Sequence, residues 1–214
     1  MAIYKKPGKR AFDLFFSVLF IICTSPLYFL IALLVKCTST GPIFYKGLRM
    51  GQHGKLIDCW KFRTMCLNAD EKLHHILRTC PELDAEWKTY FKLKNDPRLT
   101  PIGKFLRQSS LDELPQIWNV IKGDLSIVGP RPIAIEHKEK AQEEIRSHFG
   151  DKTEKILSVK PGLTCIWQIK GRNLLTFQER ILLEEEYVDT QSFVLDLRII
   201  IKTVPLLFFS KGAF

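Results

Sequence analysis

The chain has 214 residues, with 32 lysines and arginines against 23 aspartates and glutamates, and its formal net charge is +9. This length suits one substantial domain, and the basic balance suits an anionic membrane surface, phosphorylated substrates or nucleic acid without choosing among them. The six cysteines show no CxxC pairs and no dense spacing, which argues against a zinc site and a secreted disulfide scaffold.

The first predicted element is an apolar block near the N-terminus. No charged residue occurs from 14 to 35, and about 20 apolar residues are enough for a helix to cross about 30 Å of hydrocarbon. One interpretation is a single transmembrane helix. We favour a re-entrant helix, broken at Ser25 and Pro26, because proline interrupts helices and both flanks of the block are basic. The flanking cations are Lys5, Lys6, Lys9 and Arg10 before the block and Lys36, Lys46 and Arg49 after it.

The middle of the chain predicts a small β-hairpin followed by short helices. Two strand-like segments surround a turn at 51–54, and Pro81 divides a charged helical pattern into two helices. The sequence contains neither internal repeats nor low-complexity linkers. The predicted strands are 43–45 and 56–60, and the predicted helices are 68–94, 101–107, 135–147 and 179–188.

The last predicted element is a helix over 192–211. This segment is strongly apolar but carries Asp196, Arg198 and Lys202, which make it a poor membrane span. We expect a helix in the membrane interface with its charges toward water. The alternative is an amphipathic helix packed on the protein core.

Asp112 and Glu113 carry the chemical interpretation of the sequence. Ser110-x-x-Glu113 also fits a capping box, in which Ser110 and Glu113 only satisfy backbone groups and Asp112 only offsets the helix dipole. In the chemical interpretation, an ionised aspartate at a helix N-terminus attacks phosphorus and forms an acyl phosphate. Because nucleophile and phosphate are both negative, a divalent metal and nearby cations must neutralise the repulsion.

Four cations are candidates for that neutralisation. Arg107 lies one helical turn before the predicted helix start, and Arg131 is held between Pro130 and Pro132, which restricts its backbone. Each arginine has a simpler interpretation as a solvated surface residue. The two remaining cations, at the end of the predicted hairpin, are Lys61 and Arg63.

Other classes of site find little support in the sequence. No histidine pair has metal-ligand spacing, and the GxSxG, Walker and GxGxxG motifs are absent. Aromatic residues do not alternate with basic ones, as they do on a platform that stacks RNA bases. Nucleic-acid binding would therefore depend on net charge alone, and we expect no nucleic acid as partner.

Several stretches form one ordered pattern along nearly the whole chain. They are KRAFDLFFS (9–17), SP (25–26), GPIFYK (41–46), KFRTM (61–65), NDPRLTPIGKFLRQSSLDELPQIWNVIKGDLSIVGPRP (95–132), KPGLT (160–164), WQIKGR (167–172) and the S-x-x-x-D at 192–196. This pattern resembles the bacterial sugar transferases known as small monotopic phosphoglycosyl transferases. That family initiates exopolysaccharide, O-antigen and glycoprotein glycan synthesis.

The resemblance implies a fold and a location. The expected class is α+β and mostly helical, with a re-entrant membrane helix, a β-hairpin and interfacial amphipathic helices around a compact catalytic domain. Residues 1–40 would form the basic flank and membrane helix, and residues 41–214 the catalytic domain. The implied location is the cytoplasmic face of the bacterial inner membrane, with membrane lipid as a partner.

The resemblance also implies an activity. The family moves a sugar-1-phosphate from a UDP-sugar to undecaprenyl phosphate and releases UMP, with Mg²⁺ as cofactor. Asp112 matches the nucleophile and a metal-binding group, and Glu113 matches its assisting carboxylate. Arg131 matches a phosphate or nucleotide contact, with Arg107 as the arginine upstream of the dyad. Downstream glycosyltransferases are further partners that the resemblance allows.

Two positions depart from the family pattern, and one alternative function stays open. Cys165 stands where glycine is usual, and Glu184 stands where aspartate is usual. Neither change touches the acidic dyad or the Pro-Arg-Pro loop, so we expect activity to survive. The alternative is a catalytically inactive membrane scaffold of a glycan-assembly complex, which release of UMP would exclude.

Overall fold

The computed structural model describes residues 6–90, 93–171 and 175–208. Lys5, Arg172 and the end of the predicted C-terminal helix lie outside these ranges. Within them the chain is mainly helical with two pairs of short strands, which confirms the predicted α+β class. The helices are α1 (Lys6–Thr38), α2 (Ala69–Thr79), α3 (Pro81–Tyr90), α4 (Pro101–Ser109), α5 (Ile117–Lys122), α6 (Ala141–Phe149), α7 (Thr153–Ile156), α8 (Ile166–Lys170), α9 (Phe177–Thr190) and α10 (Phe193–Phe208). The strands are β1 (Phe44–Met50), β2 (Leu56–Phe62), β3 (Ser126–Val128) and β4 (Gly162–Thr164), and short 3₁₀ helices occur at Gln52–Gly54, Leu111–Gln116, Lys138–Lys140 and Gly150–Lys152.

Helix α1 runs without interruption through Pro26, so the predicted division of this segment into two helices is wrong. Proline lacks the N–H that would bond the carbonyl four residues earlier, which belongs to Ile22. The Ser25 hydroxyl donates to that carbonyl at 3.2 Å, and the Thr24 hydroxyl donates to the carbonyl of Phe20 at 2.7 Å. Such side-chain bonds satisfy backbone acceptors around a proline, which lets a helix in apolar surroundings continue past it.

Both ends of α1 pack on the rest of the protein. Near the N-terminus, the Arg10 guanidinium donates to two main-chain carbonyls of α5, each at 2.6 Å. Near the C-terminus, Ile31 and Val35 are buried in a cluster with Phe62 and Leu106. A helix of 33 residues is about 50 Å long. Both ends of α1 therefore contact one globular body.

The outer side of α1 is apolar and exposed. Within the described residues, α1 is the one helix long and apolar enough to cross a membrane. Soluble surfaces rarely expose apolar side chains over so large a continuous area. This surface therefore indicates membrane association. Its exposed large apolar residues are Leu14, Phe15, Val18, Leu19, Ile22, Leu27, Phe29, Leu30, Leu33 and Leu34.

The hairpin forms as predicted, although its strands are longer. β1 and β2 pair antiparallel, with the register running from Phe44 opposite Phe62 to Met50 opposite Leu56. Helix α5 is fixed against β2 by the buried side chain of Asn119. Its oxygen accepts from a main-chain N–H of β2 at 3.0 Å, and its amide donates to a main-chain carbonyl of β2 at 2.7 Å. These bonds bring the end of β2 beside the 3₁₀ helix that carries the acidic dyad.

A short parallel pair, β3 and β4, was not indicated by the sequence. Two backbone hydrogen bonds continue this pairing past the end of β3. The N–H of Gly129 donates to the carbonyl of Thr164 at 3.1 Å, and the N–H of Gly162 donates to the carbonyl of Pro130 at 2.8 Å. A Cβ on Gly162 would lie 2.1 Å from the nitrogen of Gly129, so only glycine allows this approach. The contact fixes the start of the loop that presents Arg131.

The remaining helices follow the prediction with shifted ends. α3 begins at Pro81, as expected, whereas α6 begins at Ala141 and not at 135, because the 3₁₀ helix Lys138–Lys140 precedes it. The expectation that the charges of α10 face water holds for Arg198 and Lys202. It is wrong for Asp196, which is fully buried. Asp196 forms an ion pair with Lys9 of α1 and accepts from the Tyr187 hydroxyl at 2.9 Å.

Candidate active site

The acidic dyad lies just after α4, on the 3₁₀ helix Leu111–Gln116. Thr100 caps the start of α4, since its hydroxyl accepts from the N–H of Gly103 at 3.0 Å, and Ser110 follows the last residue of α4 in the left-handed conformation with φ 58°. The Ser110 side chain makes no capping hydrogen bond. The Glu113 carboxylate turns away toward cations, so the capping-box interpretation of Ser110 and Glu113 is wrong.

Glu113 is held by two cations from different parts of the chain. Its Oε1 lies 2.8 Å from Lys61 Nζ and 2.9 Å from Arg131 Nη2, and Arg131 Nη1 donates to its Oε2 at 3.4 Å. Burial alone would raise the pKa of Glu113. The charges of Arg131 and Lys61 outweigh that effect and hold the pKa of this carboxyl well below its ordinary value. Glu113 is therefore firmly ionised.

Asp112 is buried but much less strongly paired. Its Oδ2 lies 3.4 Å from Lys61 Nζ, and no described residue hydrogen-bonds its Oδ1. Burial raises the pKa of Asp112, and the nearby Glu113 carboxylate raises it further. The charges of Lys61 and Arg107 act in the opposite direction. The two adjacent carboxylates thus have different environments, one saturated with donors and one with an oxygen left available.

Arg131 is presented by a rigid loop. The neighbouring prolines restrict its backbone, and its main-chain N–H donates to Glu184 Oε1 at 3.1 Å. The carboxylate of Glu113 raises the pKa of Arg131, so its charge is permanent. Arg180 Nη2 donates to the Arg131 carbonyl at 3.2 Å, and Arg180 Nε lies 3.7 Å from Glu184. Glu184, Arg180 and Glu113 together fix both the backbone and the side chain of Arg131.

The two residues that depart from the family pattern, Cys165 and Glu184, lie in the protein interior near the Pro-Arg-Pro loop. Glu184 and Cys165 are both buried. Burial raises the pKa of Glu184 to about 7, and burial also raises the pKa of the Cys165 thiol, which stays neutral. Glu184 supports the backbone of Arg131 through its longer side chain. Cys165 contacts Gln168, with its Sγ 3.3 Å from Oε1.

A cavity of about 560 Å³ opens beside Glu113. Two further arginines line it together with Arg131, namely Arg49 of β1 and Arg180 of α9. Burial lowers the pKa of both Arg49 and Arg180, and the charge of Arg131 lowers each further, since three guanidinium groups converge. The three guanidinium groups can bind an anion, although the lining of the cavity also contains Glu136 and Glu144 besides Glu113. Neither of these two arginines could be assigned to the site from the sequence, because an isolated arginine belongs to no motif.

The predicted site residues do not all meet. One connected cluster contains four of them, Lys61, Asp112, Glu113 and Arg131. Pro132 lines the adjoining cavity. Arg107 lies close enough to act on Asp112 and donates through Nε to Thr64 Oγ1 at 3.0 Å.

The other predicted positions lie elsewhere. Arg63 is buried at the end of α1, where its Nη2 donates to the carbonyl and hydroxyl of Ser39 at 2.8 Å and 2.7 Å. Pro130 is buried under the loop, and Ser25 and Pro26 lie in the middle of α1.

The donor set for a metal ion is small. The described part of the chain contains no group of three or more His, Cys, Asp or Glu side chains arranged to hold a metal. Mg²⁺ commonly takes one or two protein carboxylates and completes its shell with substrate phosphates and water. The available Oδ1 of Asp112 beside a cavity lined by three arginines fits that pattern.

Comparison with known proteins identifies relatives along nearly the whole chain. The profile of the bacterial sugar transferase family matches residues 4–210. The undecaprenyl-phosphate galactose phosphotransferase of Salmonella typhimurium is 42% identical over 207 residues, which cover 96% of this chain and 41% of that protein. The exopolysaccharide production protein ExoY of Sinorhizobium fredii is 41% identical over 97% of this chain and 88% of its own length.

The name of a third relative states glucose, whereas that of the Salmonella relative states galactose. The UDP-glucose:undecaprenyl-phosphate glucose-1-phosphate transferase of Klebsiella pneumoniae is 38% identical over 211 residues, covering 96% of this chain and 41% of that protein. The chain thus spans about two fifths of the length of the Salmonella and Klebsiella relatives and most of the length of ExoY. With a family profile matched from residue 4 to residue 210 and several such relatives, the chain belongs to the bacterial sugar transferase family.

Proposed function

We propose that this chain transfers a sugar-1-phosphate from a UDP-sugar to undecaprenyl phosphate through a covalent intermediate on Asp112. The observation that carries the proposal is the asymmetry of the dyad: Asp112 keeps an unpaired oxygen beside a cavity lined by three guanidinium groups. The names of the Salmonella and Klebsiella relatives, which contain undecaprenyl phosphate and galactose or glucose, support the substrate classes.

The first step exchanges one phosphorus–oxygen bond for another. A carboxylate oxygen of Asp112 bonds to the phosphorus that carries the sugar. The bond from that phosphorus to the bridging diphosphate oxygen breaks, and its electron pair leaves with UMP. No proton needs to move in this step, because both the nucleophile and the leaving oxygen are anionic.

The cations around the dyad make this attack feasible. Lys61 lies 3.4 Å from Asp112 and 2.8 Å from Glu113, so it reduces the repulsion between the nucleophile and the diphosphate. Arg131 and Arg107 would contact phosphate oxygens on either side of the reacting phosphorus. Glu113 is ionised because Lys61 and Arg131 surround it. In turn its carboxylate keeps these two cations in place beside Asp112.

The second step returns the enzyme to its starting state. An oxygen of undecaprenyl phosphate bonds to the phosphorus of the aspartyl phosphosugar, and the bond from phosphorus to Asp112 breaks. The carboxylate recovers its electron pair. The product is a polyprenyl diphosphate sugar, and the kinetics are expected to be ping-pong.

The proposal includes Mg²⁺ as cofactor. Asp112 Oδ1 and diphosphate oxygens would hold it, and when bound it would supply neutralisation of the diphosphate charge.

The proposed location is the cytoplasmic face of the bacterial inner membrane. The exposed apolar side of α1 would enter the bilayer, and the contacts of both its ends with one globular body support a course that returns to the same side. A soluble nucleotide sugar and a lipid phosphate would meet at that boundary. Exopolysaccharide production, stated in the name of ExoY, and lipopolysaccharide synthesis are the proposed pathways, with downstream glycosyltransferases as partners.

Release of UMP by detergent-purified protein tests the proposal. The protein is given undecaprenyl phosphate, Mg²⁺ and a panel of UDP-sugars, with Asp112→Asn alongside and the exposed Asp151→Asn as the matched control. We expect release in the wild type and the control and a loss of more than about 1,000-fold in Asp112→Asn. A hexose-phosphate adduct on the Asp112 peptide should appear when the lipid is omitted.

Each contrary result has a distinct meaning. Undiminished release by Asp112→Asn would keep the transferase and refute Asp112 as its nucleophile. A folded wild type that releases no UMP from any UDP-sugar would favour the inactive membrane scaffold.

A further inference from the structure

The cavity beside the dyad has two chemically different ends. In one part of its lining Glu113 pairs with Arg131, and in another lie the rings of Phe177 and His148, with Arg180 in contact with Phe177. These rings meet edge to face with their centroids 5.6 Å apart. Phe177 begins α9 directly after Thr176, whose side chain and that of Glu179 form a capping box, so the position of its ring is fixed by the helix start.

A continuous series of contacts joins the two ends. Arg131, which pairs with Glu113, lies 5.9 Å from the ring centroid of Trp167. Arg180 lies 5.1 Å from the same centroid. Arg180 in turn lies 5.7 Å from the ring centroid of Phe177. The order along the cavity is therefore carboxylate, guanidinium groups, and then an aromatic edge.

Resting on the function proposed above, we infer that the nucleoside of the donor binds at the Phe177 end of the cavity and that the sugar lies outside it. In a displacement at phosphorus, the attacking and leaving oxygens lie roughly in line. Asp112 does not line the cavity, whereas Glu113, the next residue, does. The group that leaves away from Asp112 is the nucleotide, so the cavity that extends from the dyad receives the nucleotide.

The chemistry of the cavity matches this assignment. Three guanidinium groups suit the phosphate of UMP, and an aromatic face suits a planar base. The Nδ1 of His148 lies 2.6 Å from the carbonyl of Glu144, which can only accept, so Nδ1 carries the proton. In the neutral ring Nε2 is then an acceptor, available to a base N–H or a ribose hydroxyl.

UMP affinity tests this assignment without requiring turnover. Binding of UMP to detergent-purified full-length protein is measured by calorimetry, and KM is measured for UDP-glucose and UDP-galactose. The variants are Phe177→Ala, Phe177→Trp and Leu182→Ala. Leu182 lies on the same helix α9, is 56% exposed against 41% for Phe177, and does not line the cavity.

We expect Phe177→Ala to weaken UMP binding about five- to 150-fold, the range seen when one base–aromatic stack is removed, and to raise KM for both donors alike. Phe177→Trp keeps a stacking face and should retain UMP affinity within a few fold, as should Leu182→Ala. The tryptophan variant and thermal denaturation separate loss of stacking from loss of folding.

Two results would overturn the inference. One is unchanged UMP affinity in a folded Phe177→Ala protein; the other is a changed preference between the two UDP-sugars with UMP affinity intact, which would place the sugar in the cavity. Failure of the transfer reaction is distinguishable from both. A wild type that binds UMP through Phe177 yet releases none from UDP-sugars would reject the proposed function and keep the nucleotide site.

Discussion

Glu184 gives the protein a stability that depends on pH near neutrality. It has no exposed surface, its Oε1 accepts from the N–H of Arg131, and its Oε2 has no hydrogen-bond partner among the described residues. Burial raises the pKa of this carboxyl to about 7 in the folded protein, against an ordinary value of 4.5. The folded state therefore holds the proton more tightly than the unfolded state does.

The sign and size of the effect follow from that difference. Because the folded pKa is the higher one, the stabilisation is fully present below the unfolded pKa and is lost as the pH rises through about 7. Between the two pKa values the free energy of unfolding falls by about 1.4 kcal/mol per pH unit. From about pH 5.5 to about pH 8.5 the loss is therefore about 2 kcal/mol, or about 4–8 °C in melting temperature for a chain of this size.

The perturbation is Glu184→Gln, which keeps an acceptor for the N–H of Arg131 and removes the titration. Melting temperature is followed by tryptophan fluorescence in detergent across this pH range for both proteins. Asp112, whose pKa is also raised, is present in both, so the difference between the proteins isolates Glu184. We expect the wild type to lose stability relative to the variant as the pH rises. A difference that stays constant with pH would refute a carboxyl that protonates in the folded state.

Two further predictions concern buried polar contacts that hold the frame of the site. Asn119→Ala removes both side-chain bonds from α5 to the backbone of β2 and should cost about 2–4 kcal/mol of unfolding free energy in thermal denaturation; a loss below about 1 kcal/mol would contradict the bridging role. Asp196→Ala removes the closest carboxylate of Lys9, which keeps Asp13 at 3.8 Å, and should cost about 1–3 kcal/mol. The double change Lys9→Met with Asp196→Leu should cost less; equal costs would show that the ion pair does not fix α1 to α10.

The sequence was informative where local chemistry decides the structure. Pro81 separates α2 from α3 because proline begins a helix more readily than it continues one, and the glycine-containing turn at 51–54 gives the hairpin. Lys61 lies next to the last residue of β2, so the predicted basic end of the hairpin is where the sequence placed it. In each case a single residue type limits the backbone within a few residues.

Predictions failed where a distant contact decides between two local patterns. Ser110-x-x-Glu113 matches the sequence pattern of a capping box. However, the Glu113 carboxylate pairs with Lys61 and Arg131, and Ser110 adopts the left-handed conformation. At Pro26 the proline rule predicted a break, yet the preceding hydroxyl of Ser25 restores the lost acceptor contact. The hydropathy pattern predicts neither the ion pairs of Glu113 nor the hydrogen bond that the Ser25 hydroxyl donates.

The assignment of roles within the dyad shows why sequence alone stops short of mechanism. Asp112 and Glu113 are adjacent and chemically alike, and a sequence gives no reason why one should attack phosphorus and the other should not. The fold gives the two carboxylates different partners. Glu113 has two close donors, Lys61 of β2 and Arg131 of the Pro-Arg-Pro loop, whereas Asp112 has only the longer contact with Lys61. Environment then drives the two pKa values apart, one down and one up. The carboxylate with the raised pKa is the more basic one when ionised and keeps a free oxygen, so the same contacts that stabilise Glu113 support Asp112 as the proposed nucleophile.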